Sequence, residues 1–492
     1  MTKIAFHGVA PVLVGGALAV SSVVLLAQIA SAGTGGATGV AAASGSPSAT
    51  GSASPSASPS TQSGRYVALD TPTRAFDSRN TSERRRSGVT TVDVSQWVPA
   101  TATAAVLNVT LTEATAGGYA VVYATGSSKP ETSNVNFQTG LTQANEVISM
   151  ISSDRRVDVS IDGGVAAPSA ALIVDVVGFL TADESVTTGQ VKAITPERVF
   201  DSGQTGQPRR SGETQVDLSA QVGDATDVVL NVTVDAPDVG GHVVVYPTGS
   251  AKPATSNVNF AKGQQQANEV FTKVGSNGRV SLSLDGPTPP HARLVVDLVA
   301  TVGGEAAADV TVTSPRRFLD TRAGAGNVGA PPGRKSGPIT VSLPDSVPDG
   351  ASAVLLNVTA TGADSPGFVT VYAAGATNPG TSNVNFRVGA DQANAVVALI
   401  SSDRKVTLDV GGRNAPGTYL VADVTGYLAV SCTPGLVPGI IGPACPSSSP
   451  SASPSPSPSP SPSPSPSPSP TGSPSPSPSP TACLLPPPAP CI

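Results

Sequence analysis

The chain has 492 residues, enough for about three or four domains of ordinary size, and only 13% of them are charged, with a formal net charge of −6. This sparse and slightly acidic charge excludes the basic patches by which proteins bind nucleic acid, so no nucleic-acid partner is expected. Apart from Lys3, every charged residue lies between Arg65 and Asp423, and we expect the globular part of the chain there.

The N-terminal segment has the pattern of an export signal. Lys3 precedes an uncharged, mostly apolar run that ends in "ASA", a small-residue cleavage sequence. Residues 1–32 are therefore expected to be a signal peptide or, since the run is long enough to cross a bilayer, an N-terminal membrane anchor. Residues 33–64 are rich in Gly, Ser and Ala, bury too little surface to fold and are predicted to be a disordered linker.

Three copies of one pattern follow, here called repeats 1, 2 and 3, and each consists of short, Val-rich, alternating segments between turn residues. The words "LNVT", "TSNVNF" and "QAN" recur in this order, starting at Leu107, Thr132 and Gln143, at Leu230, Thr255 and Gln266, and at Leu356, Thr381 and Gln392. About eight strands in each copy predict an all-β chain of three tandem β-sandwich domains. Their predicted bounds are 65–181, 190–302 and 309–430, and a β-barrel is the alternative architecture.

The C-terminal part of the chain is dominated by alternating Pro and Ser. This composition favours extended polyproline II, so residues 446–480 are predicted to be a disordered Pro/Ser stalk. Short cysteine-containing segments lie on either side of the stalk, at 431–445 and 481–492.

All four cysteines of the chain lie in these two flanking segments. In an exported protein they predict two disulfides, and three connectivities are open. Local pairs are favoured because the stalk separates the two segments, and these pairs are Cys432 with Cys445 and Cys483 with Cys491.

The motif order RxxDTR, LNVT, SNxNF and VDVxGYF resembles a tandem β-repeat of exported actinobacterial surface and cell-wall proteins. The resemblance extends over all three repeats. It implies an extracellular, cell-surface or cell-wall location, but it brings no established activity with it. Repeat 2 departs from the pattern, because it has "DSG" from Asp201 and ends in "VATV".

Each repeat carries two recurring aspartates, and both are interpreted as structural. The first lies beside arginine, which keeps a carboxylate ionised and suits it poorly to acid catalysis. The second lies within an apolar strand, where a buried carboxylate needs a partner. We predict that the opening arginine is this partner and ties the first strand of the repeat to the last. The predicted structural ion pairs involve Arg74, Asp77 and Asp175; Arg198, Asp201 and Asp297; and Arg317, Asp320 and Asp423.

No catalytic constellation is evident in the sequence. His242 and His291 both lie in repeat 2, so a Ser-His-Asp triad could occur in one repeat alone. The GxSxG and HExxH motifs do not occur. The acidic stretch of repeat 1 that comes nearest to a calcium loop lacks two of its acids in repeat 2. We therefore expect no enzyme activity, no cofactor and no metal site.

The word "TSNVNF" places two asparagines on one face of a strand and Val and Phe on the other. A glycine and then "QAN" follow in each repeat, which predicts a hairpin with its loop at 139–142 in repeat 1. In that register the second asparagine of the word faces the asparagine of "QAN", and the set forms a structural clamp or, alternatively, a polar ligand site. The predicted pairs are Asn136–Asn145, Asn259–Asn268 and Asn385–Asn394, and Asn134, Asn257 and Asn383 complete the set.

The asparagine of "LNVT" also matches a glycosylation sequon. Because it lies inside a predicted strand, we interpret the match as chance and the residue as an ordinary part of the strand. The residues concerned are Asn108, Asn231 and Asn357.

The sequence thus predicts an exported, non-catalytic structural or adhesive repeat protein of the cell surface or cell wall. The alternative is a carbohydrate- or cell-wall-polymer-binding protein, although aromatic residues are only 4% of the chain and offer few rings for stacking on sugars. A secreted hydrolase is the least expected function. The expected partners are a cell-wall polysaccharide or another surface protein, and membrane contact is expected only through an uncleaved N-terminal segment.

Overall fold

The structure, a computed structural model, describes residues 61–164, 167–304, 307–324 and 326–429. Within these ranges the chain is all-β, and its strands form antiparallel sheets that pair into sandwiches, which confirms the predicted fold class. The predicted signal peptide or anchor, most of the linker, the cysteines and the Pro/Ser stalk lie outside the described residues. No helix in the described part of the chain is both long and apolar enough to span a bilayer.

Repeat 1 forms two sheets. Its strands are β1 (Thr61–Asp77), β2 (Gly88–Asp93), β3 (Ala102–Thr112), β4 (Gly118–Ala124), β5 (Val135–Phe137), β6 (Gln143–Met150), β7 (Arg156–Asp162) and β8 (Ala171–Thr181). The sheet that holds the "LNVT" strand has the order β1-β8-β3-β6, and we call it the inner sheet. The outer sheet has the order β2-β7-β4-β5.

The same two-sheet order recurs in repeat 2. Its strands are β9 (Val191–Asp201), β10 (Gly212–Asp217), β11 (Asp227–Asp235), β12 (Gly241–Pro247), β13 (Val258–Phe260), β14 (Gln266–Lys273), β15 (Arg279–Asp285) and β16 (Arg293–Val302), with a short helix α1 (Ser219–Val222) after β10. The inner sheet has the order β9-β16-β11-β14 and the outer sheet β10-β15-β12-β13.

Repeat 3 repeats this arrangement once more. Its strands are β17 (Asp309–Asp320), β18 (Gly337–Ser342), β19 (Ala353–Thr361), β20 (Gly367–Ala373), β21 (Val384–Phe386), β22 (Gln392–Leu399), β23 (Lys405–Gly411) and β24 (Tyr419–Ala429). The inner sheet has the order β17-β24-β19-β22 and the outer sheet β18-β23-β20-β21.

The inner sheets are buried on both faces. In β3, Leu107 and Val109 face the core of their own sandwich, whereas Val106 on the opposite face belongs to a second cluster. Successive side chains of a strand point to opposite faces. Apolar residues at nearly every position of β3 therefore contribute alternately to the core of the sandwich and to the second cluster. This double burial explains why the "LNVT" strands are apolar runs with little alternation.

The second cluster is a core shared by all three repeats. The rings of Tyr66 from repeat 1 and Phe271 from repeat 2 lie 5.1 Å apart within it. Other members from the three repeats are Val106 and Val177, Val229 and Val299, and Leu355 and Val397. Each sandwich also keeps a core of its own. The three repeats are therefore packed directly against one another around common apolar side chains.

Strand β1 also joins repeat 1 to repeat 3. Residues 61–64, predicted to be the end of the linker, instead begin β1 and pair with β17, with Thr61 opposite Thr313 and Gly64 opposite Val310. Strand pairing forms through backbone hydrogen bonds, which do not depend on apolar side chains. A polar segment can therefore extend a sheet if it lies beside an unpaired strand edge. The pairing merges the two inner sheets into one eight-stranded sheet.

Candidate functional site

The "TSNVNF" and "QAN" strands lie in different sheets, so the predicted hairpin is wrong. In repeat 1, Asn136 of β5 pairs with Tyr119 in the outer sheet, whereas Asn145 of β6 pairs with Val109 in the inner sheet. Gly140 does turn the chain, with φ at +78°, but the turn leads from one sheet to the other. A turn signal specifies a reversal and not which sheet the next strand joins. The predicted pairs Asn259–Asn268 and Asn385–Asn394 are corrected in the same way.

A different asparagine clamp joins the two sheets of each sandwich. In repeat 1, Asn134 Oδ1 accepts from the Val122 N–H at 2.7 Å, and Asn145 Nδ2 donates to the Asn134 carbonyl at 2.7 Å. The first asparagine of the word, not the second, is thus the partner of "QAN". The equivalent bonds are Val245 to Asn257, Asn268 to Asn257, Val371 to Asn383 and Asn394 to Asn383.

The "QAN" asparagines also bond between repeats and close a ring. Their Nδ2 groups each donate to the "LNVT" asparagine of another repeat, namely Asn145 to Asn357 at 2.9 Å, Asn268 to Asn108 at 3.2 Å and Asn394 to Asn231 at 3.2 Å. Their Oδ1 atoms accept backbone N–H groups of the same neighbouring repeats, from Ala395, Glu146 and Glu269 respectively. Repeat 1 bonds to repeat 3, repeat 3 to repeat 2 and repeat 2 to repeat 1, so the set is cyclic.

The "LNVT" asparagines, interpreted from the sequence as ordinary strand residues, are part of this interface. Their Nδ2 groups donate to the carbonyl of the serine in a neighbouring "TSNVNF", at 2.6 Å in each case, from Asn108 to Ser256, from Asn231 to Ser382 and from Asn357 to Ser133. The signal that could have found them is an asparagine in the middle of an apolar strand, because a buried amide requires hydrogen-bond partners.

The structure brings the opening arginine and the closing aspartate of each repeat together. In repeat 1, Arg74 on β1 lies opposite Asp175 on β8, and Arg74 Nε donates to Asp175 Oδ1 at 2.8 Å. Burial raises the pKa of Asp175, and Arg74 opposes this rise. Arg79 binds Asp77 at 2.6 Å and, chiefly through this hydrogen bonding, lowers the pKa of Asp77. Equivalent contacts are Arg198–Asp297, Arg317–Asp423 and Arg322–Asp320.

In repeat 2, the arginine that pairs with the first aspartate comes from a different strand. Gly203 stands where repeat 1 has Arg79, and Arg293 on β16 instead donates to Asp201, with Nε to Oδ1 at 2.8 Å. A Cβ on Gly203 would lie 2.5 Å from Arg293 Nε. The glycine therefore makes room for the replacement arginine, and the hydrogen bond from Arg293 lowers the pKa of Asp201. The "DSG" departure in the sequence preserves the ion pair.

Two of the grooves between neighbouring repeats occupy equivalent places. The first groove, of about 670 Å³, is lined by Arg74 and Arg79 of repeat 1 and by His242, Ser256 and Asn259 of repeat 2. The second groove, of about 190 Å³, occupies the equivalent place between repeats 2 and 3. Its lining includes Arg198, Arg293, Phe368, Ser382 and Asn385. Each groove thus places the arginine motif of one repeat against the "TSNVNF" segment of the next.

The second asparagine of "TSNVNF" faces these grooves beside a ring. Asn259 is the cross-strand partner of His242, and Asn385 is that of Phe368. Directly opposite residues on an antiparallel pair place their side chains next to each other on one face. Asn259 Oδ1 accepts from Ser256 Oγ at 3.2 Å, and this contact orients the amide. The two asparagines of the word therefore have separate positions, one in the sandwich clamp and one at a groove.

Two buried glutamates face the shared core, and neither was predicted from the sequence. Glu146 and Glu269 are each 2% exposed, and a cavity of about 20 Å³ lies against them, with Ala395 at the equivalent position of repeat 3. Burial raises the pKa of Glu269 to about 7. Burial and the neighbouring Glu269 raise the pKa of Glu146 well above its usual value. No group of three or more potential metal-ligating side chains occurs among the described residues.

Comparisons with known proteins add little to this geometry. No protein-family model matches the sequence, and no curated protein matches it. A solved structure reported as "The Triple Jelly Roll Fold and Turret Assembly in an Archaeal Virus" is 8% identical, with 75% of this chain and 92% of that chain covered and a TM-score of 0.14. A TM-score this low does not indicate a shared fold.

Proposed function

We propose that this chain is an exported, non-catalytic structural or adhesive protein of the cell surface or cell wall. The export pattern of residues 1–32 and the resemblance to exported actinobacterial repeats support the location. The observation that supports a structural role is the closed ring of asparagine hydrogen bonds, which holds the three sandwiches in one arrangement. The predicted Pro/Ser stalk would hold such a body at a distance from its attachment point.

The ring is a stiff connection because its members are buried. Asn108, Asn145 and Asn268 are each 1% exposed. A buried polar group that loses its partner costs about 1–3 kcal/mol, and separating one repeat from its neighbours would break several such bonds and expose the shared core. The ring and the shared core therefore resist separation of the repeats, which suits an adhesive or structural module.

The test combines localisation with binding. The full chain is expressed in an actinobacterial host, intact cells are treated with protease, and the wall, membrane, medium and cytoplasmic fractions are probed. We expect the chain in the wall fraction or the medium and accessible to protease. Recovery from the cytoplasm alone would refute the location, and release of soluble sugars from purified cell walls by the purified chain would refute the non-catalytic function.

Binding of carbohydrate or cell-wall polymer is the second candidate function, and the two grooves favour it. They are concave, lie between repeats and combine arginine, asparagine and hydroxyl groups with a ring. Ligand sites commonly consist of a concave surface with a few fixed polar groups. Sedimentation of the purified chain with cell-wall polysaccharide, and separately with peptidoglycan, would test this candidate, and failure to sediment with either would leave the purely structural one.

A further inference from the structure

We propose that the first and second grooves bind an uncharged saccharide, held between the arginine–aspartate pairs of one repeat and the ring–asparagine pair of the next. This inference rests on the second candidate function, saccharide binding. It assigns that function a site and a ligand class.

The arginine wall of the first groove is fixed before any ligand binds. Arg74 is held by Asp175 and Arg79 by Asp77, while 32% and 34% of the two arginine side chains remain exposed. The two aspartates are nearly buried, with 1% and 6% of their side chains exposed. The remaining guanidinium N–H groups are therefore donors at defined positions, and little further side-chain entropy is lost when they bind a hydroxyl.

The charges of this wall cancel. Arg74 and Arg79 contribute two positive charges, and Asp77 and Asp175 contribute two negative charges. Burial lowers the pKa of His242, so the ring on the opposite wall is neutral at pH 7. A polyanion would find no net attraction here. The hydroxyl groups of a neutral saccharide accept hydrogen bonds as well as donate them. They can therefore bind the exposed guanidinium groups of this wall, whose charges are balanced by the two nearly buried carboxylates paired with them.

The charges around the second groove also nearly cancel, with one additional negative charge. Arg198 is paired with Asp297 and Arg293 with Asp201. Asp235 lies 3.8 Å from Arg293 and adds a negative charge. An anionic ligand is therefore disfavoured in this groove as well, by charge repulsion.

The opposite wall combines an apolar face with an amide. His242 and Asn259 are cross-strand neighbours in the first groove, as are Phe368 and Asn385 in the second. A ring packs against the C–H face of a sugar, and an amide both donates to and accepts from its hydroxyls. Asn259 Oδ1 is engaged by Ser256 Oγ, whereas its Nδ2 makes no hydrogen bond within the described part of the chain.

The two grooves differ in size, so their contributions should differ. The first, of about 670 Å³, falls within the range of about 300–1,000 Å³ that is usual for ligand sites, and the second, of about 190 Å³, lies below it. We expect the first groove to supply most of the affinity. At the third interface, Gln138 Nε2 donates to the Gly389 carbonyl at 2.6 Å and bridges repeats 1 and 3.

The experiment uses the full chain and a panel of neutral oligosaccharides (hexamers of glucose, mannose, galactose and arabinose) beside two polyanions, polygalacturonate and lipoteichoic acid. The panel is immobilised for screening, and the ligand that binds best is then titrated by calorimetry at low and high salt. The variants are the double substitution His242→Ala with Asn259→Ala for the first groove and Asn385→Ala for the second. The matched control is Asn277→Ala, at an exposed position outside both grooves. Circular dichroism and thermal unfolding verify that each variant is folded.

We expect binding of at least one neutral oligosaccharide, insensitive to salt, with affinity reduced at least tenfold by the first-groove variant, less by Asn385→Ala and not by the control. Salt-sensitive binding of the polyanions alone would overturn the ligand class. Binding of a neutral oligosaccharide that the first-groove variant leaves intact would overturn the site while saccharide binding stands. No binding to any member of the panel would overturn the inference, whereas sedimentation with cell-wall polysaccharide and with peptidoglycan decides the second candidate function separately. The structural function would be unaffected by either result.

Discussion

Asn268 of repeat 2 donates from Nδ2 to Asn108 Oδ1 of repeat 1 at 3.2 Å, and both side chains are 1% exposed. The same Asn268 donates to the Asn257 carbonyl and accepts from the Glu146 N–H. One amide thus connects the two sheets of its own sandwich and the neighbouring repeat. Its counterparts in repeats 1 and 3 do the same, which makes the cohesion of each repeat and the association of the three repeats depend on one residue type.

The first prediction concerns this residue. Asn268→Ala removes three buried hydrogen bonds and leaves their partners unsatisfied, so we expect the free energy of unfolding to fall by about 2–4 kcal/mol. Urea denaturation followed by circular dichroism measures the change. The exposed Asn277→Ala serves as the control and should shift the free energy by less than about 0.5 kcal/mol. Equal effects of the two substitutions would contradict the role assigned to Asn268.

The second prediction concerns the shared core. A chain of residues 190–302 alone would expose Val229, Phe271 and Val299, which are buried among the three repeats. Large exposed apolar patches drive association, so we expect this single repeat to self-associate in light scattering, whereas the three-repeat chain 61–429 remains monomeric. If residues 190–302 were monomeric and as stable to unfolding as residues 61–429, the shared core would contribute nothing to stability.

The third prediction concerns pH. The pKa of Glu269 is raised from 4.5 to about 7, so the stability associated with its protonated form is complete below pH 4.5 and is lost as pH rises through about 7. Replacing the carboxyl by an amide removes this loss. We expect Glu269→Gln to gain about 3 kcal/mol relative to the unsubstituted chain between pH 4.5 and pH 8.

Urea denaturation at four pH values between 4.5 and 8 measures this difference. The same substitution at an exposed position, Glu131→Gln, is the control. Glu146 is the acidic neighbour of Glu269, and Tyr66 lies near both Glu146 and Asp227. The double variant Glu146→Gln with Glu269→Gln should therefore vary less with pH in this window than Glu269→Gln alone. A constant difference between Glu269→Gln and the unsubstituted chain would argue against a buried, protonated carboxyl.

The fourth prediction concerns the arginine that pairs with Asp201, which lies at a different position in repeat 2 from its counterpart in repeat 1. Arg293→Ala leaves the buried Asp201 without its main partner and should cost on the order of 1–2 kcal/mol, a value kept low because Arg293 is 41% exposed. Gly203→Arg alone should also destabilise, because its side chain would collide with Arg293. The double variant recreates the arrangement of Arg79 and Ala171 in repeat 1 and should recover stability. A double variant that loses the sum of the two single costs would rule out this compensation.

Much of the fold could be predicted from the sequence because it depends on local patterns. Alternation and turn residues indicated the strands, and charge compensation pointed to Arg74 as the partner of Asp175, since a carboxylate in an apolar strand needs a cation nearby. The candidate site was harder to predict. The sequence singled out the asparagines of "TSNVNF" and "QAN" but paired the wrong members, and it did not distinguish Asn134, which lies in the clamp, from Asn136.

The sequence by itself determined the all-β class, the triplication and the identity of the polar residues that must find partners. Only the tertiary structure decided which partners they find. The alternation of apolar and polar residues along a strand indicates which residues share a face. It does not indicate which sheet or which repeat covers that face. The association of the three sandwiches around a shared core, and the grooves between them, arise from contacts between residues more than a hundred positions apart.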